Sequence, residues 1–402
     1  MKRRYYSGPD YRRAISIEEL RQIARRRLPA FALEFLEGGG EGELSLAWNR
    51  DVFKSLRFEP RTLVDTTERH IRTTLFGGEV ASPLIIAPTG HNNIFRRDGD
   101  MALARAAAAE GIPFALSTMS NTRLERLAEE AGGRLWMQLY ILGEKALRED
   151  IIRRAEESGY EALVFTTDAN VYGMREWDRR QFRAPGRLTW RGLVDVLLHP
   201  RWVFDVVVPH GMPRLLNVSD FFPPEARGSA AFAYVRKIFQ PNTTWDTVAE
   251  LRRRWPRKLL IKGILSLEDA RRAAEAGCEG IVLSNHGARH LDSCLSPMEI
   301  LPEVAAELGD RLTIVIDSGF RRGSDVLKAL ALGAHAVMVG RPTLYGLTAG
   351  GEAGVRHAIG ILNSETDRVL GQIGCTSIAD LGAHLLRSNP ALPHANPVAD
   401  LY

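Results

Sequence analysis

The sequence predicts a (β/α)8 barrel, and three observations support this prediction. Eight short apolar runs recur along the chain, helix-like segments follow them, and a polar side chain ends nearly every run. Short runs rich in Val, Ile and Leu are typical of strands buried on both faces of a parallel sheet. The carboxyl ends of barrel strands form the active site of this fold, which accounts for the polar endings. A doubly wound open sheet shows the same alternation and is the alternative fold.

The eight runs are short enough to be strands and are separated by segments long enough to be helices. In chain order they are Pro83–Gly90, Ile112–Thr118, Arg134–Tyr140, Ala162–Asp168, Lys258–Gly263, Gly280–His286, Leu312–Gly319 and Ala336–Pro342. Ala and Leu recur at helical spacing in Ala102–Glu110, Leu267–Ala276 and Ser324–Leu332.

Two regions fall outside this repeat. Residues 1–80 hold a predicted helix at Ile17–Arg27 and a second around Phe31–Leu36. The Gly-rich stretch Gly38–Gly42 neither follows a strand nor matches GxGxxG, so it is not interpreted as a dinucleotide loop. The gap from Ala169 to Arg257 is too long for an ordinary connection and predicts an insertion above the fourth strand.

We therefore expect a single domain over residues 1–402, with the barrel at about 81–385 and the insertion at about 183–245. The tail Asn389–Tyr402 is expected to be extended or docked onto a partner subunit.

Composition excludes several classes of protein. The chain has 402 residues, 45% of them hydrophobic and 25% charged, which is typical of a folded globular protein. Its net charge of +4 does not by itself indicate a nucleic-acid partner. Cys278, Cys294 and Cys375 match no metal or CxxC spacing, so we expect no metal site and an intracellular setting. The sequence contains neither a secretory signal nor an apolar stretch long enough to span a bilayer.

Two surface features each have two interpretations. Basic residues cluster in Lys2–Arg4, Arg12-Arg13 and Arg25–Arg27. This cluster is either a solvated helix face or a surface attracted to an anionic membrane. The apolar segments Leu193–Leu198 and Trp202–Val208 indicate either a lid or subunit contact, or a surface that dips into a membrane.

The segment SNHGARHLD, Ser284 to Asp292, is the most specific chemical signal. His286 ends a buried run, and Arg289 follows three residues later. A histidine can accept a proton near neutral pH, and an arginine can hold a carboxylate through two hydrogen bonds. The pair suits a substrate with an acid group next to an oxidisable carbon.

This segment and the rest of the barrel resemble the FMN-dependent 2-hydroxy-acid oxidising family over about residues 20–385. The family includes glycolate oxidase, lactate oxidase, L-lactate dehydrogenase and mandelate dehydrogenase. The shared motifs are LPAFALEFLEGG, APTG, LSTMSN, QLY, TTD followed by an arginine, IKG, SNHGARHLD, DSGFRRGSDVLKALALGA and VGRPTLYG. The mandelate dehydrogenase branch is the most similar, through LHPRW, HGMP and SPMEIL at 198–202, 210–213 and 296–301.

The resemblance implies a role for each matching residue. His286 would be the base, Asp168 would orient its ring, and Tyr140 would bond the substrate oxygen. Arg175 and Arg289 would bind the substrate carboxylate. The residues expected to hold FMN are Pro88, Thr89 and Gly90 beside N5, Ser117, Gln138 and Thr166 at the ring edge, Lys262 near N1 and O2, Asp317 on the ribityl chain, and Gly319, Arg321, Gly340 and Arg341 at the phosphate. Ser284 is also expected to bind the cofactor.

One position departs from the family pattern. Phe35 stands where the family has a tyrosine whose hydroxyl helps to bind the carboxylate, so one hydrogen bond is missing. The substrate would still be an L-2-hydroxy acid, mandelate-like or lactate-like. It would be oxidised to the 2-oxo acid either by hydride transfer to the flavin or through a carbanion.

The resemblance also implies a peripheral position on the inner face of the cell membrane, a quinone as electron acceptor and a homotetramer. Gly90, where soluble oxidases tend to have alanine, favours a dehydrogenase over an oxygen-using oxidase. Two other functions remain open: a flavin enzyme of the same fold that acts on an amine or modified peptide, and a non-catalytic flavoprotein. A requirement for a carboxylate would exclude the first, and anaerobic bleaching by a 2-hydroxy acid would exclude the second.

Overall fold

Eight parallel strands close into a barrel in the computed structural model, which describes residues 5–143, 145–184, 187–209, 211–226, 231–239 and 242–388. The strands are β1 Leu84–Ile86, β2 Phe114–Leu116, β3 Leu135–Leu139, β4 Ala162–Thr166, β5 Lys258–Ile264, β6 Gly280–Leu283, β7 Thr313–Ile316 and β8 Ala336–Val339. Each strand pairs with the next, and Met338 of β8 pairs with Ile85 of β1. The (β/α)8 prediction is confirmed and the open doubly wound sheet is wrong, because the last strand returns to the first.

The barrel is filled by side chains, so it is a packed core rather than a channel. Its interior cluster comprises Ile85, Ala87, Ala115, Trp136, Ala162, Val164, Leu260, Val282, Val315, Ala336 and Met338, together with Leu75 and Val80. The last two belong to a hairpin, Thr73–Leu75 with Gly78–Val80, that covers the amino-terminal end. Its two turn residues, Phe76 and Gly77, both have positive φ, the geometry that favours a two-residue hairpin turn.

Helices cover the outside of the barrel. They are Gly99–Ala109, Leu124–Ala131, Lys145–Glu157, Trp245–Arg254, Leu267–Glu275, Pro297–Leu308, Gly323–Ala331 and Arg341–Gln372, the last kinked at Gly350 and Gly351. The three helices expected from Ala and Leu spacing are present within three residues of the predicted bounds. Ser266, for example, begins one of them by accepting a hydrogen bond from the amide of Asp269 at 3.1 Å.

The amino-terminal segment forms the helices Ile17–Arg27, Ala30–Glu37 and Leu44–Ser55. The first begins and ends where predicted, because Ser16 caps its start and three arginines occupy its last turn. Arg27 donates to the carbonyls of Thr348 and Ala349. This member of the basic cluster therefore joins the helix Ile17–Arg27 to the helix Arg341–Gln372. Residues Lys2–Arg4 of the cluster lie outside the described residues.

The insertion occupies the connection between β4 and β5, as expected. It contains the helices Glu176–Arg180, Trp190–Leu197, Pro200–Trp202 and Ala231–Ile238, the π-helical turn Val203–Val207, and a hairpin of Phe182–Ala184 with Arg187–Leu188. A short antiparallel pair, Leu56–Phe58 with Leu386–Ser388, joins the amino-terminal segment to the last described residues. The tail Asn389–Tyr402 and His210 lie outside the described residues. In the part of the chain that the structure describes, no helix is both long and apolar enough to cross a membrane.

Candidate active site

Three side chains from three strand ends form a hydrogen-bonded row at the barrel mouth. Asp168 follows β4, Tyr140 follows β3 and His286 follows β6. The Nδ1 atom of His286 lies 2.8 Å from Oδ1 of Asp168, and its Nε2 atom lies 3.2 Å from the Tyr140 hydroxyl. Because a carboxylate can only accept, Nδ1 carries the proton and Nε2 presents a lone pair towards the mouth.

The Asp168 carboxylate is held in its charged form. Burial alone would raise its pKa, but the adjacent His286 and the nearby Lys262 outweigh burial and lower the pKa to about 2. Its Oδ2 atom is buried and has no hydrogen-bond partner among the described residues. Gly263, with φ of +104°, leaves room for this carboxyl, since a Cβ there would lie 2.7 Å from the Asp168 side chain.

A buried cation lies next to this row. Lys262 on β5 donates to Ser284 at 2.6 Å and pairs with Asp317 at 2.8 Å. Burial opposes the charge on Lys262, but Asp317 and Asp168 outweigh burial and raise its pKa. Asp317, expected on the ribityl chain, also accepts from the hydroxyl of Ser318 at 2.8 Å.

Hydrogen bonds on both sides fix the orientation of the buried Gln138 side-chain amide. Ser117 donates to Oε1 of Gln138 at 3.3 Å, and Nε2 of Gln138 donates to Thr166 at 3.0 Å. The three predicted ring-edge residues are therefore neighbours across β2, β3 and β4, and they present an ordered set of donors and acceptors.

The segment Pro88-Thr89-Gly90 follows β1 at the same mouth. Thr89 donates to Oδ1 of Asn92 at 2.9 Å. A Cβ added to Gly90 would lie 2.8 Å from the Cβ of Met119, so an alanine requires Met119 to move.

Phe35 lies between the two arginines predicted to bind a carboxylate. The guanidinium carbons of Arg175 and Arg289 lie 5.2 and 5.3 Å from the centre of its ring. Arg289 donates to the carbonyl oxygens of Phe35 at 2.9 Å and of Gly38 at 3.3 Å. Burial, then the charges of Arg175 and Arg341, lower the Arg289 pKa well below its usual value. Arg175 pairs with Asp178 at 3.1 Å, whereas Arg289 has no carboxylate within ion-pair distance among the described residues. A bound anion would therefore stabilise Arg289, and this end of the pocket is a place for one.

Two more arginines lie beside Gly319 and Gly340, after β7 and β8. Arg341 donates to the carbonyl oxygens of Leu36 at 3.0 Å, Gly38 at 3.0 Å and Gly287 at 2.9 Å. Burial and the charge of Arg321 lower its pKa to about 10. Among the described residues, no carboxylate lies within ion-pair distance of Arg321 or Arg341. This donor set fits a phosphate, and a buried cation at Lys262 fits the electron-rich edge of a flavin, so the residues present fit FMN.

Sequence reasoning missed three residues of this mouth. The His290 ring lies 4.4 Å from that of His286 and nearly perpendicular to it. Phe239, from the end of the insertion, packs against Tyr140 at 5.2 Å and Tyr172 at 6.3 Å. Burial and the proximity of His286 lower the His290 pKa well below its usual value, which keeps that ring neutral. His290 lies inside the motif SNHGARHLD, which was a signal for it, whereas Phe239 follows no strand and gave none.

Comparison with known proteins agrees with this geometry. A family model described as FMN-dependent dehydrogenase matches residues 24–388. (S)-Mandelate dehydrogenase of Pseudomonas putida is 43% identical over 96% of this chain and 97% of its own length. L-Lactate oxidase of a Nostoc species is 36% identical over 92% of this chain and 98% of its own. The crystal structure of a monotopic membrane protein, (S)-mandelate dehydrogenase, superposes with a TM-score of 0.89 at 43% identity, covering 94% of this chain and all of that one.

The match extends over nearly the whole length of both partners, so it includes the barrel, the insertion and every strand end described above. The chain belongs to the FMN-dependent dehydrogenase family and is an oxidoreductase with FMN as its cofactor.

Proposed function

We propose that this enzyme oxidises an L-2-hydroxy acid to the corresponding 2-oxo acid. The observation that carries the proposal is the arrangement of His286, with Nε2 at the mouth beside the Tyr140 hydroxyl and Asp168 behind the ring, next to the arginine pair Arg175 and Arg289. A base and a carboxylate site side by side match the two functional groups of a 2-hydroxy acid.

Each residue of the row has one task in this scheme. His286 takes a proton from the substrate at Nε2. Asp168 holds the ring in the tautomer that can accept the proton and stabilises the imidazolium that results. Tyr140 remains protonated, because burial and the Asp168 carboxylate raise its pKa. Its hydroxyl would exchange its contact with Nε2 of His286 for a hydrogen bond to the substrate oxygen, which frees Nε2 to accept the proton.

The cofactor, when bound, accepts the two electrons that the substrate loses. Lys262, kept charged by Asp317 and Asp168, would hold the edge of the flavin where negative charge develops. Ser284, Ser117, Gln138 and Thr166 would bind the remaining polar edge of the ring. Arg321 and Arg341, with the backbone at Gly319 and Gly340, would hold the phosphate, at the usual barrel position after the last two strands.

The lining of the mouth favours an aromatic acid of the mandelate type. Phe35, Phe239 and Tyr172 bring apolar ring surface next to the arginine pair. The mandelate dehydrogenase and lactate oxidase relatives act, by their names, on an aromatic and a small acid respectively. A lactate-like substrate is therefore the second candidate.

The deciding experiment is an anaerobic bleaching screen of the FMN enzyme with mandelate, lactate, glycolate and longer 2-hydroxy acids. Bleaching by mandelate at the lowest concentration supports the proposal. Bleaching only by amines, or only by compounds without a carboxylate, would identify a different substrate class. No bleaching by any of these compounds would indicate a non-catalytic flavoprotein.

We further propose that the insertion rests on a membrane surface and that a membrane quinone takes the electrons. The apolar insertion face, defined here as Trp190, Leu193, Leu197, Leu198, Phe204 and Val208, exposes between 54 and 75% of each residue. Arg187, Arg191 and Arg201 are exposed among these residues. Apolar side chains interspersed with arginines are typical of a surface that binds an anionic bilayer.

Vesicle sedimentation tests this surface. The double variant Leu197→Asp/Phe204→Asp should bind anionic phospholipid vesicles at least tenfold more weakly, because each change removes about 1.5–3 kcal/mol of apolar burial and adds a like charge. Leu63→Asp, a fully exposed leucine outside the insertion, is the matched control. Equal binding by all three proteins would contradict the proposal.

The acceptor is tested separately, by comparing reoxidation of the reduced enzyme by a soluble quinone and by oxygen. Faster reoxidation by oxygen would make the enzyme an oxidase. The single domain over residues 1–402 and the homotetramer stay predictions; analytical ultracentrifugation of the FMN enzyme in detergent measures the latter.

A further inference from the structure

Tyr172 lines the barrel mouth with its ring, and its hydroxyl has been given no role above. Its hydroxyl accepts a hydrogen bond from Nη2 of Arg175 at 2.7 Å. The same tyrosine contributes to the pKa of Tyr140 and of Arg289, so both side chains are within electrostatic range of it. Its hydroxyl therefore contacts one of the side chains that the proposed function places around the substrate, and two others are near it.

The backbone holds Tyr172 in this position. The amide of Gly173 donates to Nδ1 of His290 at 3.1 Å, and the Tyr172 ring packs edge-on against the His290 ring at 5.8 Å. A Cβ on Gly173 would lie 2.5 Å from the Cα atom of His290, so the two loops are in close contact. The segment after β4 is thus fastened to the segment that carries His286, and Tyr172 needs little reorganisation to meet a substrate.

We propose that Tyr172 donates a hydrogen bond to the substrate carboxylate and so selects for acids; this rests on the proposed function. A hydroxyl has one proton and two lone pairs, so it can accept from Arg175 and donate to an anion at the same time. The Phe35 ring, which contacts both guanidiniums, has no hydroxyl to offer that anion. A carboxylate held by Arg175 and Arg289 would therefore accept a hydrogen bond from the hydroxyl of Tyr172.

The test uses the FMN enzyme and two ligands of nearly equal shape, phenylglyoxylate and its uncharged amide. Binding is measured from the change in flavin absorbance, which needs no turnover. In Tyr172→Phe, phenylglyoxylate should bind about 10- to 100-fold more weakly, the usual range for a hydrogen bond to a charged group. Binding of the amide should change by less than about threefold. Because the ring is kept, the variant should retain FMN.

Tyr160→Phe is the matched control, since Tyr160 precedes β4 at the opposite end of the barrel and donates to the carbonyl of Leu124 at 2.9 Å. It should leave the affinities for both ligands unchanged. Equal weakening of acid and amide in Tyr172→Phe, or no weakening of either, would overturn the assignment.

Flavin reduction separates this inference from the proposed function. If mandelate bleaches the flavin and Tyr172→Phe leaves acid binding intact, only the role of Tyr172 is wrong. If no 2-hydroxy acid bleaches the flavin but Tyr172→Phe still weakens acid binding selectively, the proposed reaction is wrong and the carboxylate contact stands.

Discussion

Replacing Asp168 by asparagine isolates the electrostatic part of the proposed mechanism. Lowering the Asp168 pKa from 3.8 to about 2 corresponds to roughly 2–3 kcal/mol in favour of the carboxylate, which is what remains after burial is set against the charges of His286 and Lys262. Much of that interaction is with His286, so the imidazolium formed during the reaction loses a similar stabilisation in the variant. An effect of this size slows proton transfer on the order of 10²-fold.

The asparagine can also reverse the tautomer of His286. If its amide nitrogen donates to Nδ1, the ring proton moves to Nε2, and the atom that should accept the substrate proton is blocked. If its amide oxygen accepts from Nδ1 instead, only the charge is lost. We therefore expect flavin reduction to slow by at least 10²-fold, with the larger loss in the first orientation.

Anaerobic stopped-flow reduction with mandelate, and with mandelate deuterated at C2, measures this effect directly. FMN content shows that the site is intact, and Asp220→Asn, which removes an exposed ion pair to Arg123, is the control. A reduction rate within about fivefold of the unmodified enzyme between pH 6 and 9 would refute the role given to Asp168.

Three further outcomes are expected. His286→Gln should keep FMN but reduce the flavin roughly 10²–10⁴-fold more slowly, the usual loss for a general base; near-normal stopped-flow rates would remove His286 from the mechanism. Arg341→Ala should release FMN more readily, measured by flavin fluorescence on dilution, since it deletes a phosphate donor; unchanged retention would place the phosphate elsewhere. Phe35→Tyr should lower the KM for lactate up to about tenfold if the new hydroxyl, of roughly 1 kcal/mol, reaches the carboxylate. A fall in kcat/KM for mandelate would instead mean that Phe35 packs against the aromatic group, and no change for either acid would mean that residue 35 does not face the substrate.

The strands were predictable because a strand buried on both faces must be mostly apolar. Seven of the eight runs contain their strand, and β5 extends one residue beyond its run, to Ile264. The helix Ile17–Arg27 was predictable to the residue, since Ser16 and the three final arginines are local signals. The pairing of Leu56–Phe58 with Leu386–Ser388 was not, because nothing local relates segments so far apart in the chain.

The candidate site divides in the same way. His286 and Asp168 end strands, so the barrel itself dictates that they meet. Tyr172 and Phe239 reach the mouth only through the path of the insertion, which the sequence pattern does not specify. Arg341 was expected at a phosphate, but its hydrogen bonds to Leu36, Gly38 and Gly287 depend on how the amino-terminal segment docks.

Closure of the barrel has a consequence for how the chain folds. The last residues of β4 pair with β5 only after segment 167–257 has been made, and β8 must return to β1 across the whole barrel. During synthesis the first four strands therefore present an open edge at β4, which is a template for pairing with other chains. Contacts between such distant segments also slow folding. The insertion thus lengthens the time for which a half-built sheet needs protection from aggregation.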